Sequence, residues 1–424
     1  MERKITNDLV KWKREVGRKP LLIYGNKQIG KTYSAIDFGE KYYKTISYFN
    51  ASNNRELLEI MRNERTIDKI IFKLSLLNGE TILKDDTLII IDNVNDEDIV
   101  KGIKKFGKTE NDYHIIFITS LKENLLKFKG EELQYKYMFP VDFEEYLKAI
   151  GNNELIDFIK NSYKNNKPIP FHNVAMELFE DFALTGGLPE VITASLTNES
   201  DLKIKMIQQK ILDSYKKELL NIDNFIDVVR ANEVLDIIPY QLKKSNKKFQ
   251  YGLMKNGGRS KDYDRCLEFL NLNGLVQKCY KVTNIKAPLS KEKDTDSFKL
   301  YLNDTGILAM MMNLSRIKFL TDNTSKYILY ENMVANSIGN CGYNLYYYQS
   351  EGKAEVPFLI QSRTGVIMPV EIVNKNMSKS KSLSLIMSKF NLTEAIRVTE
   401  DNFSYKKGIR YIPIYALFCL KDSI

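Results

Sequence analysis

A short segment near the N-terminus combines glycines, a lysine and a hydroxyl in a spacing that suits phosphate binding. The segment GNKQIGKT, residues 25–32, matches the pattern G-x-x-x-x-G-K-[ST] at every fixed position. Gly25 and Gly30 allow backbone amides to turn toward phosphate oxygens, and a helix that starts here favours negative charge. Lys31 can reach the β- and γ-phosphates, and Thr32 can offer its hydroxyl to Mg²⁺. We expect the nucleotide to contact Gly25, Asn26, Lys27, Gln28, Ile29, Gly30, Lys31, Thr32 and Tyr33.

A carboxylate at the end of an apolar run is the natural partner of this loop. Asp92 ends the run TLIIID, residues 87–92, and can hold the water shell of Mg²⁺ together with Thr32. In most ATPases of this kind the next residue is a glutamate that orients the attacking water, but here it is Asn93. An amide positions water without accepting its proton, so we expect slow or absent hydrolysis. Lys31, Asp92 and Asn93 are the candidate catalytic residues.

Further polar side chains follow the apolar runs. Asp96, Glu97 and Asp98 could replace the missing glutamate, or they could form a solvated acidic loop. Thr119 and Ser120 end the next apolar run, where a hydroxyl would sense the γ-phosphate, although ordinary strand ends carry the same residues. The sequence leaves both choices open.

Short apolar runs alternate with helical patterns through the N-terminal part of the chain, and these elements position the candidate residues. The runs 20–24, 44–52, 87–92 and 114–120 predict strands, and 54–76 has the apolar periodicity of a helix. Continuous hydrophobic strands that alternate with helices are typical of a parallel sheet covered on both faces. The predicted fold class is therefore α/β, with a P-loop NTPase parallel sheet.

The middle of the chain is predicted to be mostly helical. Asp142 is a candidate N-cap, and Glu145 completes a capping box with it. Residues 150–235 are helix-rich, and 231–285 show the order helix, basic connection, helix and strand, which suggests a winged-helix-like module. The polar segment 286–297 predicts a loop. The remainder returns to α/β, with a helix near 328–340 and strands in NLYYYQS, EVPFLIQ, GVIMPVEIV and RYIPIYAL.

Composition narrows the classes of function. The chain has 424 residues, which suggests about three domains, and 43% of them are hydrophobic, enough for several cores. Only two histidines occur, His114 and His172, which argues against a histidine triad or a histidine-rich metal site. His114 lies in an apolar run and is predicted to pack in the core. The four cysteines contain no CxxC pair, which argues against a disulfide framework and a zinc site.

Hydropathy and charge bear on location and partners. No apolar run approaches the roughly 18 residues of a membrane helix, and the N-terminus lacks the apolar region of a secretory signal. We therefore expect a cytoplasmic protein without a membrane partner. The net charge of +9 permits a polyanionic partner without requiring one.

Motifs along almost the whole chain resemble one family. The segments RKPLLIYGNKQIGKT, TLIIIDNVN, FPVDFEEYLKA, ALTGGLPEVI and FKLYLNDTGILA follow its order. The chain resembles the bacterial and archaeal AAA-type ATPases that carry a C-terminal domain of unknown function, DUF4143. GGLPEV and FKLYLNDTG are not general ATPase features, so they make the resemblance specific. The resemblance implies ATP and Mg²⁺ as cofactors.

The C-terminal part of that family resembles a PD-(D/E)xK nuclease core, in which carboxylates hold Mg²⁺ and a lysine positions water. Carried over to this chain, the helix acid is Glu331 and the strand glutamate is Glu371. Pro357 stands where the metal-binding aspartate is expected, and Val373 stands where the lysine is expected. We therefore expect a degenerate domain that binds nucleic acid or is purely structural. Its site would comprise Glu331, Glu355, Glu371 and Lys375.

Two lysine-rich stretches, 241–261 and 372–393, bear on partners. The first carries seven basic residues and no acidic one, interleaved with Phe249 and Tyr251, which fits contacts to a DNA backbone. A solvated lysine-rich face is the competing interpretation. Arg259 could act as an arginine finger against the γ-phosphate or form a structural salt bridge. The expected phosphate contacts are Lys243, Lys244, Lys247 and Lys248.

The sequence therefore predicts an ATP- and Mg²⁺-binding AAA-type ATPase, with weak hydrolysis, that couples nucleotide state to nucleic-acid or protein binding. The predicted domains are a P-loop core (1–150), a helical lid (151–230), a winged-helix-like module (231–300) and a DUF4143-type nuclease-like domain (301–424). Two alternatives remain. One is an ATP-dependent metal nuclease with a rearranged site, and the other is a non-enzymatic, nucleotide-gated interaction protein. The sequence does not indicate the oligomeric state.

Overall fold

The computed structural model describes residues 1–108, 111–120, 128–222, 224–254, 258–351, 354–373 and 381–423. Lys375, part of the predicted nuclease site, lies outside these ranges. The chain divides into two compact units. The first comprises Met1–Pro140 with Leu272–Gly274, and the second comprises Val141–Asn271 with Leu275–Ile424. The four predicted domain boundaries stay predictions.

The first unit is built on a parallel sheet. Among the described residues its strands are β1 (Leu21–Tyr24), β2 (Thr45–Asn50), β3 (Thr87–Asp92), β4 (His114–Thr119) and β5 (Gln134–Tyr137). Their order is β2-β3-β4-β1-β5, and all neighbouring pairs are parallel. Every residue of β3 and β4 is buried, which explains their uninterrupted apolar sequences. The predicted α/β class and the parallel sheet are confirmed.

The helices described in the first unit are α1 (Ile5–Arg14), α2 (Lys31–Tyr42), α3 (Arg55–Asn63), α4 (Ile67–Asn78) and α5 (Glu97–Lys108). The segment 54–76, which was predicted to be one helix, contains α3 and the greater part of α4. The Asn54 side chain caps α3 by accepting the Leu57 N–H at 2.9 Å. The chain then leaves the helical conformation at Glu64, which is extended. The apolar periodicity continues across this break because α3 and α4 each bury an apolar face.

His114 of β4 confirms the prediction of a packed core imidazole. It is 2% exposed, and its Nδ1 lies 2.6 Å from the Tyr43 hydroxyl. Burial lowers the pKa of His114 to about 3, and the positive charges of Arg18 and Lys13 act in the same direction. The imidazole is therefore neutral at physiological pH, as a core residue requires.

The second unit is rich in helices. Those described after Pro140 are α6 (Phe143–Ala149), α7 (Asn153–Asn165), α8 (His172–Thr185), α9 (Pro189–Leu196), α10 (Asp201–Glu218), α11 (Phe225–Lys243), α12 (Ser260–Leu272), α13 (Thr305–Met311), α14 (Arg316–Thr321), α15 (Asn323–Asn340) and α16 (Lys381–Lys389). The predicted capping box of Asp142 and Glu145 is present at the start of α6. In the described ranges, no helix combines the length and the apolar character that a membrane crossing requires.

A mixed sheet forms the other part of this unit. Its described strands are β6 (Val276–Val282), β7 (Lys293–Leu302), β8 (Tyr346–Gln349), β9 (Glu355–Gln361), β10 (Ile367–Ile372), β11 (Ala395–Thr399), β12 (Ser404–Lys406) and β13 (Ile409–Pro413). Their order is β12-β13-β11-β10-β9-β8-β6-β7. The prediction of a loop over 286–297 was wrong from Lys293 onward, where β7 begins. β7 is an edge strand whose first four residues are not buried, so its polar start gave no strand signal.

The two motifs that make the family resemblance specific meet in the second unit. Asp304, which caps α13, accepts the Ile307 N–H at 2.9 Å and the Gly187 N–H at 2.8 Å. A Cβ on Gly186, whose φ is +81°, would crowd the Asp304 carboxylate. Burial raises the pKa of Asp304 to about 6, although the backbone N–H donors of Ile307, Gly187 and Gly306 oppose that rise. The glycine pair thus makes room for a buried carboxylate.

Candidate nucleotide-binding site

The glycine-containing loop between β1 and α2 has a backbone that only glycine fits at two positions. Gly25 has φ +154°, and a Cβ there would overlap the Met138 carbonyl oxygen. Gly30, with φ +90°, is the N-cap of α2 in the left-handed conformation. Gln28 also has a positive φ, and its side chain is exposed. Ile29 is fully buried, so it anchors the loop while its neighbours turn outward.

Lys31 lies inside the curve of the loop. Its side chain is buried, with 5% of the residue exposed. The Nζ atom donates hydrogen bonds to the carbonyl oxygens of Gly25 at 2.9 Å and Asn26 at 2.6 Å. Its positive charge is thus held where the loop would enclose phosphate oxygens. Of the neighbouring residues, Tyr33 is 58% exposed and Lys27 is partly exposed.

The two predicted magnesium ligands are in direct contact. The Thr32 hydroxyl donates to Asp92 Oδ2 at 2.6 Å, and the Tyr48 hydroxyl donates to the same oxygen at 3.1 Å. Burial raises the pKa of Tyr48 to about 12, and the charge of Asp92 adds to this rise, so Tyr48 stays a donor. Hydroxyl and carboxylate oxygens are the ligands that Mg²⁺ prefers. The residues present therefore fit a magnesium ion.

Asn93 has a conformation that helps to explain its residue type. Its φ is +56°, in the left-handed region where asparagine is enriched among non-glycine residues. Its N–H donates to Asp92 Oδ1 at 2.8 Å, and its Nδ2 donates to Asn50 Oδ1 at 3.2 Å. Asn50 pairs with Asp92 in the register of β2 and β3. A glutamate at position 93 would carry the left-handed strain, which costs about 1–2 kcal/mol.

Arg3 is a loop contact that the sequence analysis did not identify. Although it lies far from the motif, it is buried and its guanidinium donates to the Ile29 carbonyl at 2.6 Å and to the Phe139 carbonyl at 2.7 Å. Arg3 precedes α1 and has no motif around it. A charged residue next to an amphipathic helix gives no sequence signal for such a contact.

Asn26, the second residue of the loop, also makes unpredicted contacts within the first unit. Its Nδ2 donates to the Gly274 carbonyl at 2.6 Å, and its Oδ1 accepts the Tyr137 hydroxyl at 3.3 Å. A Cβ on Gly274, whose φ is +67°, would overlap Asn26 Oδ1. The loop of residues 25–32 is therefore hydrogen-bonded to a residue almost 250 positions away in the sequence. No local pattern could indicate this contact.

The other candidates around the loop have identifiable partners. The buried Thr119 hydroxyl lies 3.4 Å from Asn95 Oδ1, next to the segment that follows β3. Asp98 pairs with Arg62 at 2.6 Å and Lys101 at 2.7 Å, and hydrogen bonds from these two cations lower its pKa. Asp98 is thus engaged in ion pairs. The sensor role of Thr119 stays a prediction.

Arg259 belongs to the second unit. Its side chain is exposed, and its backbone N–H donates to Asp262 Oδ2 at 3.3 Å. This contact starts α12. The finger role of Arg259 stays a prediction.

The predicted nuclease acids of the second unit are paired with cations of this chain. Glu331, 2% exposed, is ion-paired with Lys247 and accepts the Tyr301 hydroxyl at 2.6 Å. Lys299 Nζ lies 2.5 Å from Glu355 and 3.8 Å from Glu331. Burial alone would raise the pKa of Glu331, but Lys247 and Lys299 lower it to about 2. An ammonium group therefore bridges two of the acids expected to hold metal.

Glu371 has its own partner. Its Oε2 accepts from Arg397 Nε at 2.8 Å and lies 2.7 Å from a second guanidinium nitrogen, with both side chains buried. In the described part of the chain, no group of three or more histidine, cysteine, aspartate or glutamate side chains is arranged to hold a metal ion. The structure therefore places Glu331 and Glu355 together through Lys299, and Glu371 with Arg397.

The lysines predicted to contact DNA differ in their surroundings. Lys247 is committed to Glu331, so its prediction as a phosphate contact was wrong. Lys248 Nζ donates to Ser297 Oγ at 2.8 Å, and Lys244 Nζ lies 5.0 Å from the centre of the Tyr240 ring. Lys243 is exposed. Charge counting could not distinguish these environments because the partners are distant in the sequence.

Comparisons with known families agree with this geometry. Residues 17–147 match a family described as "AAA domain", and residues 328–417 match "Domain of unknown function (DUF4143)". The chain carries an AAA domain and a C-terminal DUF4143 domain. It is a nucleotide-binding protein of the ATPase type, and the resemblance seen in its sequence is confirmed for both domains. Residues 176–318 match "Domain of unknown function (DUF8612)". No curated protein matches the chain.

Two solved structures align with most of this AAA-domain protein at low similarity. The ORC1 protein of Aeropyrum pernix, solved in complex with DNA, is 12% identical, with 78% of this chain and 91% of that chain covered and a TM-score of 0.30. The Hef helicase domain of Pyrococcus furiosus is 12% identical, with 97% and 95% covered and a TM-score of 0.20. Both TM-scores are below 0.5, and neither likeness carries an argument about function.

Proposed function

We propose that this AAA-domain protein binds Mg·ATP at the loop of residues 25–32, hydrolyses it slowly, and uses the nucleotide state to change its binding of nucleic acid or a protein partner. The observation that carries the proposal is the contact of Thr32 with Asp92 beside the enclosed Lys31. Three groups of the right chemistry are thereby gathered at one loop. The positive φ of Gly25, which glycine adopts without steric cost, suits a loop that turns its backbone toward phosphate.

The residues of the loop each have a defined task. Lys31 exchanges its two carbonyl partners for phosphate oxygens, because a charge-assisted bond to phosphate is stronger than a bond to a neutral carbonyl. Thr32 and Asp92 would hold Mg²⁺, which neutralises phosphate charge when it is bound. Tyr48 keeps Asp92 oriented through its hydroxyl. Arg3 supports the backbone at Ile29.

Slow hydrolysis follows from the chemistry of Asn93. An attacking water needs a group that accepts its proton, and general-base catalysis is worth about a hundredfold or more in rate. The Asn93 amide cannot accept a proton, and its Nδ2 is turned toward Asn50. Asp98 is held by Arg62 and Lys101, so it is not a ready substitute. The nucleotide therefore acts chiefly as a switch.

The proposed output uses exposed cations of the second unit. Lys243, Arg259, Lys261 and Arg265 are exposed, and they lie on or beside α11 and α12. Exposed cations bind phosphate backbones without sequence preference and release counterions. These residues, rather than Lys247, are therefore the proposed nucleic-acid contacts.

The two alternatives lead to different results. An ATP-dependent nuclease would need Glu331, Glu371 and Lys375 to rebuild a metal site, whereas Glu331 and Glu371 are now paired with Lys247 and Arg397. A nucleotide-gated interaction protein would bind ATP but show no affinity for nucleic acid. The ion pairs favour a role without cleavage.

The proposal is tested by nucleotide binding and DNA binding on the full chain. We expect Mg·ATP to bind the unmodified protein and Lys31→Ala to weaken it at least about tenfold, since a charge-assisted contact is lost. Lys41→Ala, at an exposed position of the same helix, serves as the control. Equal binding by Lys31→Ala, or no binding at all, would overturn the proposal.

DNA binding is then measured over a range of salt concentrations, with and without nucleotide. The combined change Lys243→Gln and Lys261→Gln should reduce the slope of log K against log salt by about 1 for each lost phosphate contact. Lys406→Gln, at another exposed position, should leave the slope unchanged. Nucleotide binding without any DNA affinity would support the interaction protein instead.

A further inference from the structure

A cavity of about 570 Å³ lies in the second unit, apart from the paired acids and the basic helices described above. Four segments line it: the loop before β7, the turn after α15, the connection from β9 to β10, and the C-terminal residues near Lys421. Its volume lies within the range of roughly 300–1,000 Å³ that small-molecule sites occupy. The cavity is large enough for a mononucleotide-sized ligand.

Among the described residues, the charged side chains that line the cavity are all positive. Arg363 and Lys421 line it, both are exposed, and none of the described lining residues is acidic. Burial raises the pKa of the lining residue Tyr343, and the positive charge of Arg363 opposes that rise. A guanidinium and an ammonium that line the same space are suited to phosphate oxygens.

The remaining lining adds flat surface and neutral polar groups. Tyr343 is partly exposed, whereas Tyr346 is buried and forms part of the cavity wall. Tyrosine faces stack on planar rings, and stacking on a base contributes about 1–3 kcal/mol. The hydroxyl of Ser290 and the amide of Asn344 also reach the cavity. Such a lining suits a ligand that carries a ring as well as a charge.

We propose that this cavity binds a nucleoside phosphate, with Arg363 and Lys421 on the phosphate and Tyr343 beside the base. The same chemistry is offered by a free mononucleotide and by an unpaired nucleotide of a nucleic-acid strand. The site does not include the loop of residues 25–32, so this proposal does not depend on the proposed ATPase function.

One cysteine provides a local readout. Cys341 lines the cavity and is partly exposed, whereas Cys266, Cys279 and Cys419 are buried. A bound ligand should therefore slow the reaction of the Cys341 thiol with a maleimide. Labelling of Lys31→Ala in the same way shows whether protection depends on nucleotide bound at the loop of residues 25–32. The buried cysteines report at the same time whether a variant is folded.

The experiment uses the full chain with three probes: inorganic phosphate, AMP and a short oligothymidylate. At several times the dissociation constant, we expect AMP or the oligonucleotide to slow Cys341 labelling about fivefold or more, in proportion to occupancy. Protection by AMP identifies a free nucleotide, and stronger protection by the oligonucleotide identifies a strand. Equal protection by phosphate alone would overturn the assignment of a base contact.

Matched variants separate the site from general charge. The double change Arg363→Gln and Lys421→Gln should weaken the protecting ligand at least about tenfold. The double change Lys318→Gln and Lys406→Gln removes the same charge from exposed positions outside the cavity and should have no effect. No protection by any probe, or undiminished protection in the first double variant, would overturn the proposal.

Discussion

The change Glu331→Gln tests the buried charge cluster of the second unit most sharply. Glu331 is enclosed by the cations Lys247 and Lys299 and by the hydroxyl of Tyr301. Glutamine keeps the size of the side chain but removes its charge. Lys299, whose side chain is 3% exposed, would then lose Glu331 as an anionic partner and keep its contact with Glu355. We expect a large loss of stability confined to the second unit.

The magnitude follows from two independent considerations. Removing one partner of a buried ion pair costs about 3–5 kcal/mol, because the other charge is left without compensation. The pKa of Glu331 is lowered from its ordinary 4.5 to about 2, which corresponds to about 3 kcal/mol. Since the pKa is lower in the folded state, this contribution is present above pH 4.5 and is lost as the pH falls toward 2. At neutral pH we therefore expect a loss of about 3 kcal/mol.

The chain contains residues that report on each unit separately. Trp12 is the only tryptophan and is buried in the first unit, while the four cysteines all lie in the second. Unfolding in urea is followed by Trp12 fluorescence and by pulsed labelling of the buried thiols. In Glu331→Gln the urea midpoint reported by the thiols should fall by about 1 M. This value is the expected loss of about 3 kcal/mol in unfolding free energy divided by a denaturant slope near 3 kcal/mol/M. The Trp12 midpoint should not change.

The control and the acid series decide the interpretation. Glu351→Gln removes a carboxylate at an exposed position and should cost less than about 0.5 kcal/mol. The difference between Glu331→Gln and the unmodified protein should shrink when the measurement is repeated near pH 4. A cost below about 1 kcal/mol at neutral pH, or a cost that does not depend on pH, would refute the reasoning about this cluster.

Three further predictions concern the loop and the buried Asp304. Arg3→Ala removes two hydrogen bonds to backbone carbonyls and should weaken ATP binding about tenfold in a binding titration, whereas Arg14→Ala, exposed on the adjacent helix, should not. Gly274→Ala should weaken ATP binding by crowding the loop, but Gly17→Ala, with nearly the same φ and open space around it, should show only the backbone cost of about 1 kcal/mol in urea unfolding. The pKa of Asp304 is raised from 3.8 to about 6, so its contribution to stability is present at low pH and is lost as the pH rises through 6. The free energy of unfolding of the unmodified protein, relative to that of Asp304→Asn, should therefore fall by up to about 3 kcal/mol as the pH rises from 4 to 7, measured by thiol labelling in urea. Unchanged ATP affinity in Arg3→Ala, equal effects of both glycine changes, or a pH-independent Asp304→Asn difference would contradict these three expectations respectively.

Much of the first unit could be predicted because local patterns determined it. Buried strands such as β3 read as unbroken apolar runs, and the loop of residues 25–32 has fixed spacing. Tyr48 and Asn50 were missed, although the register of β2 against β3 places Asn50 beside Asp92. The sequence does not show that β2 lies next to β3, and without that neighbour relation Tyr48 and Asn50 could not be placed near Asp92.

The second unit was harder to predict from the sequence because its important contacts join residues that are far apart in the chain. Lys247 and Glu331 are 84 residues apart, so a basic stretch that resembled a DNA-binding surface contains a lysine used inside the protein. Phe249, which was grouped with that surface, is buried against Phe298. The strand β7 was hidden by the polar residues of its exposed start. Local charge and periodicity do not show which distant side chains form ion pairs or pack together, because those contacts depend on the fold.

The central claim is that this chain binds Mg·ATP but hydrolyses it slowly because Asn93 cannot accept a proton. The most direct measurement is single-turnover ATP hydrolysis by the unmodified protein beside Asn93→Asp and Lys31→Ala. Aspartate tolerates the left-handed conformation of position 93 and supplies a carboxylate. We predict a rate well below about 1 s⁻¹ for the unmodified protein, at least about tenfold faster hydrolysis by Asn93→Asp, and none by Lys31→Ala. Rapid hydrolysis by the unmodified protein that Asn93→Asp does not increase would contradict the claim.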